Sequence, residues 1–144
     1  LNFKNFLDIF KKIEYITPDE NYNEYCRINK TNEKRKSQSN FFANLMVLDI
    51  IPEIEILKIV ITLQERVVLY VNDENNKGKI EEIAENISII LETIYDKISK
   101  DNEHLKLIIT NIKWVLDNQK EYDAISNKAS FKYMDILDNL KIVY

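Results

Sequence analysis

Few side chains in this chain carry the chemistry of catalysis, and their spacing withholds it. Cys26 is the only cysteine and His104 the only histidine. A thiol nucleophile needs a base beside it and a third group to orient that base. With the two residues far apart in sequence, Cys26 reads as an ordinary half-buried thiol and His104 as a surface residue in the first turn of a helix. No Cys, Asp or Glu stands at metal-ligand spacing around His104. Glu81, Glu82 and Glu85 could pair as ligands or as an acid/base couple, but carboxylates on the wet face of an amphipathic helix ordinarily only solvate it. One glycine in 144 residues excludes a glycine-rich phosphate loop, and neither a Ser/His/Asp set nor an HExxH segment occurs. The residues predict no enzyme, no cofactor and no metal.

The densest basic cluster is Lys34-Arg35-Lys36, a candidate contact for RNA phosphates. Against it stands a formal net charge of −4, which disfavours a dedicated nucleic-acid clamp because phosphate affinity comes from clustered Lys and Arg. Tyr22, Tyr25 and Tyr122 are not spaced as a base-stacking platform. Trp114, one position before the inward Val115, is expected in the core or on its rim.

The elements that must position these residues are helices. One Gly and two Pro leave little turn material for a β protein, and the apolar residues recur at 3.6-residue spacing. Phe3, Phe6, Leu7, Phe10 and Ile13 predict an amphipathic helix over 2–14. Thr17-Pro18-Asp19-Glu20 is a helix-start signal. Residues 29–40 are polar and charged and read as a mobile connector. Phe41, Phe42, Leu45, Met46 and Leu48 restart the stripe, which Ile51-Pro52 ends. Residues 54–71, apolar on nearly every face, are expected to be the most buried element. A polar loop over 72–78 contains Gly78. Then Ile80, Ile83, Ala84, Ile87, Ile90, Leu91, Ile94 and Ile98 form the cleanest stripe. Leu105, Ile108, Ile109, Ile112, Val115 and Leu116 define a further helix, and Ser126-Asn127 caps a last one with Ala129, Tyr133, Ile136, Leu137 and Leu140 inward.

A helix followed by a polar break recurs from near Gln38, Lys79 and Ser126, a period of about 40 to 47 residues that matches stacked helical hairpins of the HEAT kind. The prediction is an all-α chain, a single domain over 1–144 of stacked antiparallel hairpins, an α-solenoid fragment. Such arrays present surfaces to partners more often than they catalyse. A start at Leu1-Asn2-Phe3 without an initiator Met reads as an excised piece of a longer scaffold. The lone cysteine suits a reducing setting, cytosolic or nuclear, with the cytoplasm expected, and no apolar run approaches the roughly 20 residues of a membrane span.

The stretch from Ser39 to Ile51, with Phe41, Ala43, Leu45, Leu48 and the Ile50-Ile51 pair, resembles a segment of the middle domain of eukaryotic translation initiation factor 4G. Residues 128–138, in which Lys128 precedes Phe131 and Asp135 opens an Asp-aliphatic-aliphatic-Asp run to Asp138, resemble that family's last helix. The resemblance implies the C-terminal repeats of a HEAT-type domain. In that family the domain clamps a DEAD-box RNA helicase of the initiation factor 4A type, with RNA and other initiation factors as further partners. It points to Lys128, Phe131, Lys132, Asp135 and Asp138 as the helicase-contacting set and to Lys34, Arg35 and Lys36 as RNA contacts. Two alternatives stay open: a HEAT-type adaptor in another RNA-processing or decay complex, and a helical bundle that self-associates through the stripe from Ile80 to Ile98 with no RNA role.

Overall fold

A computed structural model describes residues 2–144. An opening 3-10 helix, Phe3–Phe10, precedes five α-helices: α1 (Tyr22–Val47), α2 (Glu53–Tyr70), α3 (Lys77–Ile94), α4 (Glu103–Asp117) and α5 (Asn127–Asn139). No strand occurs among the described residues.

Helix starts follow local capping chemistry. Asn21, Asn102 and Ser126 each turn a side-chain oxygen to the free amides of the first turn of α1, α4 and α5. Pro52, which offers no amide, sits immediately before α2. The helix-start signal at residues 17–20 forms a turn, closed by Glu20 N donating to the Thr17 carbonyl at 3.2 Å, and α1 begins just after it. Helices α1 and α5 stop alike: Asp49 and Lys141 take left-handed φ angles of 63° and 57°. The amides of Ile50 and Ile142 then reach back to the carbonyls of Leu45 and Leu137, a Schellman closure built without glycine.

The helices lie in two layers. α1, α3 and α5 stand side by side with α3 in the middle, and α2 and α4 pack against each other beneath them. Pairs across the upper layer show that its helices run parallel and in register. Arg35 meets Glu82 and Ser39 meets Asn86, each 47 residues apart, and Asn139 meets Glu92 at the same separation. Parallel neighbours linked by short turns require the intervening helix to run back, so the chain is a series of antiparallel hairpins. Because α3 separates α1 from α5, the array is an open stack. The repeat is therefore as the sequence predicts at its second step, whereas at the first step the register is 47 residues and the hairpin opens at Tyr22, well before Gln38.

The core runs the length of the stack: Ile80, Ile83, Ile87, Ile90, Leu91 and Ile94 of α3 are sealed between α1, α5 and α2. α3, not α2, is the most enclosed helix. Gly78 lies in its first turn, outside the loop expected of it, and a Cβ there would meet the Tyr15 side chain at 2.8 Å; its role is close approach, not a special φ.

The connector expected over residues 29–40 is helix throughout, the middle of the 26-residue α1. Its inward positions, Ile28, Arg35, Ser39, Phe42, Ala43 and Met46, keep helical spacing, but two of them are polar. An apolar stripe is absent because α1 is keyed to α3 by hydrogen bonds as well as by packing.

Candidate functional site

The key is a continuous polar chain inside the stack. Arg35, 3 % exposed, donates from Nη1 to Glu82 Oε1 at 3.0 Å and to Asn32 Oδ1 at 2.8 Å. Its Nε donates to the Ile9 carbonyl at 3.0 Å. Asn86 continues the chain, donating to the Glu82 backbone carbonyl at 2.8 Å and accepting from Ser39 Oγ at 2.7 Å. A buried guanidinium is tolerated when carboxylate and carbonyl partners occupy its donors, and here they do.

This arrangement corrects the reading of Lys34, Arg35 and Lys36 as one basic patch. Successive helical residues diverge by about 100°, so the three point apart. Arg35 is buried and ion-paired and offers nothing to a phosphate. Lys36 is half-buried with Glu33 at 3.4 Å. Of the three, Lys34 alone is exposed.

On α5 the expected set divides. Lys132 faces α3, its Nζ 3.5 Å from Glu85, and Asn139 on the same side donates to Glu92 at 2.7 Å. Phe131 is 62 % exposed and Met134 43 %. With Lys128, Asp135 and Asp138, also exposed, they make a face turned away from the buried Ala129, Tyr133, Ile136 and Leu137. Met134 belongs to this face and the sequence reading omitted it; its i, i+3 relation to Phe131 was the available signal.

The site residues meet at one further place. Lys36 and Lys128 both line a groove of about 270 Å³ over the upper layer, together with Tyr15, Glu81, Glu82 and Glu85. The glutamates are already engaged: Ser126 Oγ donates to Glu81 at 2.8 Å, and Glu82 and Glu85 hold Arg35 and Lys132. Among the described residues no group of three or more His, Cys, Asp or Glu could hold a metal ion, and no helix is long and apolar enough to cross a membrane. Cys26 is half-buried, and its thiol beside Tyr22 raises the tyrosine's pKa.

Self-association through the stripe of α3 does not fit the structure. Ile80, Ile83, Ile87, Ile90 and Ile94 are fully enclosed within one chain and offer no surface to a second. Comparison with known proteins finds no matching family model, no matching curated protein and no matching solved structure.

Proposed function

We propose that this chain is a protein-interaction scaffold, a HEAT-type stack that docks a DEAD-box RNA helicase in translation initiation, in the cytoplasm, as the initiation factor 4G middle domain does. The observation that carries the reading is the outer face of α5. An isolated exposed Phe is unremarkable, but Phe131 beside Met134, ringed by Lys128, Asp135 and Asp138, has the make-up of an interface: an apolar anchor within a charged rim. The rigid slab behind it supports the same reading, since a scaffold that binds one arrangement of a two-lobed partner better shifts that partner's population by the affinity difference. Catalysis belongs to the partner. Of Lys34, Arg35 and Lys36, only Lys34 is left exposed to touch RNA.

Titration calorimetry with a purified helicase of the initiation factor 4A type tests this. Binding that weakens at least about tenfold in Phe131→Ala and in Asp135→Lys is expected, one tenfold step being about 1.4 kcal/mol. No binding by the unaltered chain removes the helicase from the proposal, and binding indifferent to both changes removes the face.

A further inference from the structure

Where the end of the opening 3-10 helix lies against α1, the charges do not balance. A groove of about 260 Å³ is lined by Asp8 and Lys12 from the first segment and by Lys34, Arg35 and Gln38 from the second. Two of these charges are answered from outside it: Lys11 pairs with Asp8 at 2.9 Å, and Glu82 holds Arg35. Lys12 and Lys34 are left. Lys12 reaches only Glu14, at 3.7 Å, with 87 % of its side chain exposed, and Glu14 is already bonded to Arg27. Lys34 is exposed and has no ion-pair partner among the described residues. Two uncommitted ammonium groups thus share one groove in a chain whose net charge is −4.

Their side chains are free but their backbones are fixed. Lys12 stands between Phe10 and Ile13, both buried, and Arg35 donates to the Ile9 carbonyl just before them at 3.0 Å. Lys34 adjoins Arg35, which Glu82 ties to α3. The two walls therefore keep their spacing without a ligand, so binding has only lysine side chains left to order. Gln38, one turn beyond Lys34 on the same side of α1, adds an amide donor.

We propose that this groove binds a dianionic phosphoryl group, carried by a phosphorylated serine or threonine of a partner protein or by a small phosphate. Two ammoniums match its charge of about −1.5 to −2 at neutral pH, and ammonium and amide supply the donors that its oxygens accept. A nucleic-acid strand fits less well. Each of its diesters carries a single charge and its affinity comes from a run of cations, whereas Lys11, Arg27 and Lys36 around the groove are each held by a carboxylate. The inference stands on α1 and the opening segment and needs nothing of the α5 face.

The test follows backbone amide chemical shifts of the full chain at constant ionic strength, titrated with inorganic phosphate, N-acetyl-phosphoserine amide, dimethyl phosphate or oligouridine. Saturable shifts centred on Lys12, Lys34 and Gln38 are expected with the first two, and binding at least about tenfold weaker with dimethyl phosphate. Affinity should fall as pH drops through about 6, where the phosphoryl group takes up a proton. Lys12→Ala and Lys34→Ala should each weaken binding severalfold and together abolish saturation, with thermal melts unchanged because both side chains are exposed. Tighter binding of the phosphoserine amide than of inorganic phosphate supports the site as a reader of modified protein, and the reverse order supports it as a site for a small phosphate. Shifts spread over lysines throughout the chain, shifts indifferent to the double variant, or equal binding of dimethyl phosphate overturn the proposal. Oligouridine that displaces phosphate at equal phosphate concentration assigns Lys34 to RNA and overturns the choice of ligand.

Discussion

Arg35 and Glu82 close an ion pair of 3.0 Å between two parallel helices, with 2 % and 9 % of their side chains exposed. Removing one partner from such a pair strands the other charge in the core, at about 3–5 kcal/mol. Arg35→Ala should therefore lower the unfolding free energy by that order in urea titrations. Arg35→Met with Glu82→Met should recover much of the loss, since no charge is stranded. Recovery stays incomplete because the Ile9 carbonyl loses its donor, at about 1–3 kcal/mol. A double variant no better than Arg35→Ala would refute the pairing.

Tyr133 gives the pH prediction. Its hydroxyl is fully buried without a protein hydrogen-bond partner, and burial raises its pKa well above the ordinary tyrosine value. For a raised group, stability is fully present below the unfolded value, about 10, and is lost as pH climbs through it. Urea titrations at about pH 8 and about pH 11 should show the unaltered chain losing more stability than Tyr133→Phe, by up to about 1.4 kcal/mol per pH unit. At the lower pH the variant should match it or exceed it slightly, since an unsatisfied hydroxyl is gone. A difference between the two that stays constant with pH would contradict the assignment.

Phe131 separates folding from docking. Being largely exposed, its change to Ala should move stability by no more than about 0.5 kcal/mol while weakening the proposed partner. Lys132→Glu, by contrast, places an acid against Glu85 and should lower the melting temperature. Melting curves of the two variants, read beside their binding, distinguish surface from support.

Lys141 occupies a left-handed position that suits glycine. Lys141→Gly should raise the melting temperature modestly, since relief of a left-handed penalty of roughly 1–2 kcal/mol exceeds the entropic cost of glycine, about 0.5–1 kcal/mol. Asp49→Gly should give less, because Asp49 also pairs with Lys97 at 2.9 Å.

Where the inward residues are apolar, the sequence shows the helices directly. The stripes of α3, α4 and α5 lie where their isoleucines and leucines recur, and Ser126 caps α5 as expected. The first two thirds of α1 carry no apolar stripe because the buried face there includes Arg35 and Ser39. Their partners lie 47 residues away, so nothing local marks them as inward. The opening helix was legible in its phenylalanines but not in its 3-10 form, whose Ile9 and Leu7 carbonyls accept from Arg35 and Arg66 of two other helices. On α5 the exposed and inward positions followed from spacing. The division of Lys132 from Lys128 did not, because it rests on Glu85 of a neighbouring helix.

The polar chain from Ser39 to Arg35 also has a mechanical consequence. Greasy seams can creep by a turn and refill with similar side chains, but here a shift would leave a guanidinium facing hydrocarbon. The joint between the first and third helices thus resists shear like a toothed coupling, and force applied at the far edge would tilt the slab as one plate.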